Sequence, residues 1–416
     1  MQNTSIESNI HMSMDSKRLI ALAREMFYAS SFTESEYARL RLQKLVASLV
    51  KRGRQSLFNQ AGDFLFNTDI DAYNCLLEVI ESYCESCIVV EKEHRFQFLL
   101  VVIPILAWTR FTIPSGKLGC DIVQKLCKIF QTTLLAKGAR VSLSPMLYAV
   151  DQLPMEPIDV YQVSQQFIES IQTGKSVVLP AKEETVQFLA DGRYLLAGIM
   201  VDEGTPIFCW QAKKDPIPLD QEKEIALINW KQEVLPLFMQ VLPGCYFDFL
   251  LPGGYFNTCR KTDQEVRPIS VRAAVQYLEY ALNIPVQALG AVIGGFGKES
   301  GGIQIEEYRI GFYTLKERKI IYGIVWPIYG TEEIDGQSIP ILLEKHPTSS
   351  KIKGGKQLLA IFSLLRELGI KFDQSPVGRF MIEYCEDCGA PLFVDLNGEL
   401  VHAEMPDDAK KDFKLQ

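Results

Sequence analysis

The sequence predicts a multidomain α+β protein. It comprises an N-terminal α-helical bundle, two tandem α/β units of ferredoxin-like kind interpreted as diverged duplicates, and a C-terminal turn resembling a zinc knuckle. Apolar residues recur at helical spacing up to about residue 140, short β-rich runs follow, and Cys385 and Cys388 form a C-x-x-C motif. The predicted divisions are a disordered tail (residues 1–15), a helical domain (16–140), a first α/β unit (141–244), a second α/β unit (245–384) and a Cys-containing tail (385–416).

Size and charge limit the class of protein. A chain of 416 residues exceeds the size at which one hydrophobic core keeps growing, so about two or three packing units are expected. The 43 basic and 51 acidic residues give a net charge of −8, and no run of Lys and Arg is long enough to follow a phosphate backbone. Nucleic-acid binding is therefore not expected.

The sequence favours a cytoplasmic location. Residues 1–15 are polar and lack the apolar core of a secretion signal. The longest apolar run, Phe98 to Trp108, is about half of the roughly 20 residues that a membrane helix needs, and Pro104 interrupts it. Ten cysteines, mostly single within apolar stretches, are typical of a reducing compartment. No membrane partner is expected.

Helical periodicity defines the predicted domain at residues 16–140. Thr33 and Glu36 are interpreted as a capping box at the start of one helix. Further helices are predicted at about residues 71–87 and 118–137. The first third of the chain is accordingly predicted to be helical throughout.

The first α/β unit is predicted to begin after residue 140. Asp191 and Gly192 stand between two apolar runs, residues 186–190 and 193–201. Because an Asp-Gly pair readily adopts the positive φ angles of a tight turn, this arrangement predicts a β-hairpin. The other predicted elements are strands at residues 141–150 and 176–179 and helices at 157–171 and 222–240.

The second α/β unit is predicted to repeat this order. A hairpin is expected from residues 307–314 and 319–326, with its turn at 316–318. Local similarity between residues 195–201 and 320–326 favours a duplication in which these strands superpose. The alternative, that any two α/β stretches share this much similarity, stays open. The other predicted elements are strands at residues 246–251, 288–293 and 380–384 and helices at 270–282 and 356–368.

The C-terminal tail carries the most specific chemical signal. Two thiols spaced C-x-x-C and followed by glycine form half of a tetrahedral zinc site, so Cys385, Cys388 and His402 are the predicted zinc ligands. Glu404 lies nearby, and the fourth ligand is not identified. A reduced pair of thiols in a turn and a redox couple are the alternatives.

A second cysteine pair gives a weaker signal. If residues 71–87 and the segment beyond them were helical, Cys84, Cys87 and His94 would face a common point. Cysteines at this spacing are more often packed than ligated, so packing is the preferred interpretation.

Four segments of the chain resemble an uncharacterised bacterial family, a domain of unknown function. The segments are residues 267–275 (RPISVRAAV), 306–312 (EEYRIGF), 323–327 (GIVWP) and 385–392 (CEDCGAPL) with 401–406 (VHAEMP). The similarity is close over the last third of the chain and loose elsewhere. It implies one continuous bacterial cytoplasmic protein and assigns no catalytic residue.

The favoured function is that of a non-catalytic binding or regulatory protein with a structural metal. No nucleophile, base and orienting group occur together in the sequence. The partner, a protein or a small molecule, is not identified by the sequence. The alternative is an enzyme that acts on a small molecule in the cleft between the two α/β units, with Arg272, Glu307 and Arg309 as contacts.

Overall fold

The computed structural model describes residues 12–177, 188–212, 217–299, 303–329, 332, 355–372, 378–406 and 409. These residues form a mixed α+β fold that begins with helices. The α-helices are α1 (Met14–Phe27), α2 (Phe32–Lys51), α3 (Gln55–Thr68), α4 (Ile70–Glu85), α5 (Cys120–Thr133), α6 (Pro157–Thr173), α7 (Cys209–Ala212), α8 (Leu219–Val241), α9 (Tyr255–Leu282) and α10 (Lys356–Glu367). The strands are β1 (Ser86–Glu91), β2 (His94–Trp108), β3 (Gly116–Lys117), β4 (Arg140–Leu143), β5 (Met146–Ala149), β6 (Ala190–Asp202), β7 (Tyr246–Phe249), β8 (Gly253–Gly254), β9 (Leu289–Glu299), β10 (Ile303–Thr314), β11 (Ile320–Pro327), β12 (Lys371–Phe372), β13 (Arg379–Met381), β14 (Phe393–Val394) and β15 (Leu400–Val401).

Polar side chains determine where three of the first four helices begin. Ser13, Ser31 and Asp69 each accept a hydrogen bond from the backbone N–H three residues further on, at 3.0, 3.3 and 3.2 Å. The predicted capping box of Thr33 and Glu36 is wrong, since both residues already lie inside α2. Ser31 is the better cap because its extended backbone leaves its hydroxyl facing the free N–H groups of the first turn.

The predicted tail at residues 1–15 overlaps the first helix. Helix α1 begins at Met14, and residues 1–11 lie outside the part of the chain that the structure describes. Among the described helices, none combines the length and the apolar character that crossing a bilayer requires.

The prediction of helix throughout residues 16–140 is wrong for residues 86–117, which carry three strands. Helix α4 ends at Glu85, and β1 and β2 then form an antiparallel hairpin. A continuous apolar run fits a strand buried on both faces as well as a buried helix, so periodicity could not distinguish them. Alternate residues of β2 enter two different cores. One core takes Phe98, Leu100 and Val102, and the other takes Val101, Ile103 and Ile105.

Strand β2 lies inside an eight-stranded sheet. The order is β1-β2-β6-β5-β3, with β4 paired to β6 and with β7 and β8 paired to β2. Helices α1–α4 and α6 cover one face, and α5 and α8 cover the other. Because β2 and β6 pair over residues 96–108 and 190–202, the sheet spans the predicted division after residue 140.

The predicted hairpin turn at Asp191 and Gly192 is wrong, because both residues lie inside the continuous strand β6. Asp191 forms a buried ion pair with Arg193, whose guanidinium also donates hydrogen bonds of 2.9 Å to two backbone carbonyls. A carboxylate that is buried with a paired charge belongs to the interior rather than to a solvated turn. Residues 186 and 187 of the predicted first arm lie outside the described residues.

A second sheet of five strands carries the C-terminal half of the fold. Its order is β11-β10-β9-β12, with β13 also paired to β9. Helices α9 and α10 cover its apolar face through Val271, Leu278, Ile361 and Leu365. The predicted hairpin with its turn at residues 316–318 is confirmed by the antiparallel pair β10 and β11.

The strands proposed as duplicates hold different places in their sheets. Residues 195–201 lie in β6, which has β2 on one side and β4 and β5 on the other. Residues 320–326 lie in β11, which among the described strands pairs with β10 and forms an edge. The structure therefore does not support the predicted superposition, and neither a duplication nor a ferredoxin-like order is confirmed.

Candidate metal centre

A tight turn at residues 385–389 aims two thiols toward one point. The N–H of Cys385 donates to the carbonyl of Ala390 at 2.7 Å, and the N–H of Gly389 donates to the carbonyl of Cys385 at 2.9 Å. Gly389 has a φ of +72°, which residues with a Cβ rarely adopt. The glycine after the second cysteine is thus required by the backbone of the turn.

A hairpin then returns the chain to the thiols. Strands β14 and β15 pair, and Asp395 closes the turn between them. Its Oδ1 accepts hydrogen bonds from the backbone N–H groups of Asn397 and Glu399 at 2.8 and 2.9 Å. Strand β15 ends at Val401, so His402 is placed directly beside the cysteine turn.

The three predicted ligands converge. One ligand atom each from Cys385, Cys388 and His402 lies within 4.8 Å of the other two, and Cys388 Sγ is 3.2 Å from His402 Nε2. In a tetrahedral zinc site, bond lengths of roughly 2.3 Å to sulfur and 2.0 Å to nitrogen separate the ligand atoms by about 3.5 to 3.8 Å. The group could hold a metal ion, and no other such group occurs among the described residues.

The turn favours the thiolate form of Cys385. The backbone N–H of Cys388 lowers the pKa of the Cys385 thiol most strongly, and the N–H of Asp387 and the Cys388 side chain lower it further. The thiolate is the form of cysteine that binds metals. Backbone amides directed at one sulfur are therefore a feature of the site that suits a cation.

The imidazole of His402 presents its two nitrogens to different surroundings. Nε2 faces Cys388, whereas Nδ1 is buried and has no hydrogen-bond partner among the described residues. The nearest carboxylate oxygen, Glu404 Oε1, lies 3.6 Å from Nδ1, just beyond hydrogen-bond distance. In metal sites the second nitrogen of a histidine commonly donates to such a carboxylate. Glu404 is thus placed to orient the ring.

Arg309 joins this site to the second sheet. Its Nη1 donates to the carbonyl oxygens of Glu383 and Leu392, one on each side of the turn, at 2.7 and 2.6 Å. Its Nε donates to Glu307 Oε1 at 2.6 Å. Arg309 is fully buried, and its guanidinium lies over the ring of Tyr384. Arg309, held by Glu307, therefore supports the backbone around the cysteines.

A small apolar cluster holds the hairpin against the same sheet. Phe393 is buried with Tyr313 and Ile320. Its ring occupies the space that a side chain at Gly323 would need, so β11 can accept the ring only where it carries a glycine. Residue spacing does not indicate this contact, because β11 and the hairpin are far apart along the chain.

The residues proposed as enzyme contacts take part in two different ion pairs. Arg309 and Glu307 pair beneath the cysteine turn, and Arg272 forms an exposed ion pair of 2.9 Å with Glu367 on α10. None of the three lines the cleft found beside α9 among the described residues.

The second cysteine pair is packed. Cys84 lies in the last turn of α4, but Cys87 and His94 lie on strands β1 and β2, so the assumed helix is wrong. Burial raises the pKa of Cys84 to about 12 and that of Cys87 to about 11, which favours neutral thiols over metal-binding thiolates.

The fold and the site define a mixed α+β protein with a cysteine and histidine group that could hold a metal. Residues 4–415 match the family model described as "Protein of unknown function (DUF2863)". The match covers nearly the whole chain, so the protein belongs to this family, and the resemblance to an uncharacterised family is confirmed. No curated protein and no solved structure matches the chain.

Proposed function

We propose that Cys385, Cys388 and His402 bind a structural zinc ion in a non-catalytic binding or regulatory protein. The convergence of the three ligand atoms within 4.8 Å carries this proposal. The residues come from a turn and from the end of a hairpin, so a bound ion would join the two parts of the tail.

Zinc is favoured by the chemistry of the donors. Two thiolates and one imidazole suit zinc better than the harder cations, which prefer oxygen ligands. The described residues supply three ligands, and the fourth position is left for a water molecule or for another side chain. A third ligand from the hairpin, with no helix starting at the cysteines, favours metal binding over a redox couple.

The non-catalytic part of the proposal rests on the structural use of the charged residues. Arg309 supports the turn, Glu307 pairs with it, and Arg272 forms a surface ion pair. The ten cysteines are all free, which agrees with a reducing compartment, and we propose a cytoplasmic location.

Zinc content tests the proposal directly. Protein purified without added metal should contain about one zinc per chain by elemental analysis, because structural zinc sites retain the ion through purification. Cys388→Ser and His402→Gln should each lose the ion. Cys120→Ser is the matched control, since Cys120 is an exposed thiol at the start of α5, and it should retain the ion.

The reactivity of the two thiols is the measurement that could contradict the zinc proposal. With zinc bound, Cys385 and Cys388 should react slowly with a thiol reagent and quickly after chelation. A zinc content well below one per chain, together with rapid reaction of both thiols in the native protein, would leave only the reduced turn.

A further inference from the structure

An open cleft of about 550 Å³ lies between the first sheet and helix α9, away from the cysteine turn. This volume falls within the range of roughly 300 to 1,000 Å³ typical of small-molecule sites. The aromatic residues that line it are Trp108, Phe111, Tyr246, Tyr277 and Tyr280. Its walls come from the end of β2, the start of β7 and the C-terminal part of α9.

Aromatic rings form both walls of this cleft. On the sheet side, Trp108 and Tyr246 are register partners of β2 and β7, and their rings stack at 6.1 Å with an angle of 18°. On the helix side, Tyr277 and Tyr280 are three residues apart and therefore share one face of α9. Tyr246 is 72% exposed and Tyr280 is 41% exposed. Large aromatic surfaces grouped in one concave place are typical of binding sites.

One cation stands at this aromatic surface. The Arg110 guanidinium carbon lies 5.2 Å from the ring centroid of Phe111 and 4.8 Å from that of Tyr280. Arg110 is the one charged residue among the described residues that line the cleft. Cation–π contacts with these two rings restrict the position of the guanidinium.

The floor of the cleft is fixed by hydrogen bonds. Thr109 donates through its N–H to the carbonyl of Leu189 and through Oγ1 to the carbonyl of Gly244, both at 2.9 Å. Thr109 and Leu189 are both buried. These bonds hold the end of β2 against the segment before β7, so the sheet wall does not need to form when a ligand arrives.

We propose that this cleft binds a small planar aromatic carboxylate. The ring of the ligand packs between the sheet wall and the helix wall, and the carboxylate pairs with the guanidinium of Arg110. Aromatic walls select a flat apolar body, and the single lining cation selects a negative group over a neutral one. The site is independent of the proposed zinc ion, since the two groups share no residue.

Binding of 2-naphthoate and of its neutral analogue 2-naphthamide tests the proposal. Isothermal titration should show saturable binding of 2-naphthoate to one site, and the amide should bind about tenfold more weakly or worse. Arg110→Gln should weaken naphthoate binding to the level of the amide, and Tyr246→Leu should weaken both ligands. Arg366→Gln is the control, because Arg366 also lies over an aromatic ring, that of Phe372, but away from the cleft.

Three outcomes decide the matter. Equal affinity for the acid and the amide, or unchanged binding by Arg110→Gln, would show that Arg110 does not recognise the carboxylate of the ligand. Failure of benzoate, indole-3-carboxylate and 2-naphthoate alike to reach saturation at millimolar concentration would overturn the proposal. Cys388→Ser protein should bind 2-naphthoate as the unaltered protein does, so the fate of the zinc proposal does not affect the result.

Discussion

Nη1 of Arg309 donates a hydrogen bond of 2.6 Å to the carbonyl oxygen of Leu392, a residue 83 positions further along the chain. The same nitrogen donates to the carbonyl of Glu383 at 2.7 Å. One buried side chain thus holds the backbone on both sides of the cysteine turn. The position of the proposed zinc ligands therefore depends on the second sheet as well as on the local sequence.

We expect Arg309→Met to destabilise the tail. The substitution removes the hydrogen bonds to the carbonyls of Glu383 and Leu392 and leaves the carboxylate of Glu307 without its partner, at a cost of about 3 kcal/mol. Hydrogen exchange should rise most over residues 383–393. Arg272→Met removes an exposed ion pair instead, and its free energy of unfolding should change by no more than about 1 kcal/mol. Equal changes in the free energy of unfolding for the two substitutions would contradict the supporting role of Arg309.

The positive φ of Gly389 predicts a graded loss of zinc affinity on substitution. Gly389→Ala should weaken binding about 5- to 30-fold, because the left-handed conformation costs about 1–2 kcal/mol for a residue with a Cβ. Gly389→Asn should lose less and Gly389→Val more. Competition with a chelator measures the affinities. Gly174→Ala carries the same backbone strain at the end of α6, with a φ of +75°, and should leave zinc affinity unchanged.

The contact between Gly323 and Phe393 predicts that a single methyl group will release the hairpin. In Gly323→Ala the new Cβ occupies the place of the Phe393 ring, so the hairpin of β14 and β15 should detach from the five-stranded sheet against which it packs. Limited proteolysis within residues 393–406 should become faster. Gly311→Ala is a close control, since Gly311 pairs with Gly323 in the register of β10 and β11. A Cβ there would meet a movable methyl group of Ile320 at 3.2 Å, so little change in proteolysis is expected.

Glu404 is expected to position His402 rather than to bind the ion. Its carboxylate lies 3.6 Å from Nδ1, on the side of the ring away from Cys388. Glu404→Gln should lower zinc affinity about 10- to 100-fold, the usual effect of losing such a partner, and should not change the stability of the zinc-free protein. Glu399→Gln alters an exposed carboxylate of the same hairpin and should have no effect on affinity. A comparable loss in both variants would argue against positioning by Glu404.

The sequence predicts a feature when the residues that form it lie close together along the chain, and misses it when they lie far apart. The sequence predicts the C-x-x-C turn and His402 as ligands because all three residues lie within one short segment. The sequence indicates Arg309 only as a contact of the alternative enzyme, because its partners Glu383 and Leu392 lie far along the chain and residue spacing does not reveal its supporting contacts. Those contacts follow from strand order, which residue spacing does not specify.

The same limit explains the errors in the fold. The helical periodicity of α2 is local, so the sequence predicts the helix and misplaces only its cap, by two residues. The apolar run in β2 lacks periodicity because the strand is buried on both faces, and one of its partner strands, β6, begins 82 residues beyond its end. The Asp191-Gly192 pair is typical of a turn, but the ion pair of Asp191 with Arg193 is buried in the interior, and sequence spacing does not predict that burial.

The last prediction concerns pH and the junction of α4 with α9. Glu85, at the end of α4, accepts a hydrogen bond of 3.1 Å from the backbone N–H of Phe256 in the first turn of α9. Burial raises the pKa of Glu85 to about 7, although the backbone N–H of Phe256 lowers it in part. The desolvation of the carboxylate therefore outweighs its attraction to the start of the helix.

Because the folded pKa lies above the unfolded value, the unfolded state loses its proton first as the pH rises. The contribution of Glu85 to stability is therefore fully present below about pH 4.5 and is lost as the pH rises through about 7. Glu85→Gln keeps a hydrogen-bond acceptor for Phe256 but carries no charge. The free energy of unfolding of this variant, minus that of the unaltered protein, should therefore increase from about pH 4.5 to 7 and then level off. Urea unfolding at several pH values measures this difference, in which groups common to both proteins cancel. A difference that stays flat or falls over this range would mean that Glu85 ionises without cost in the folded protein.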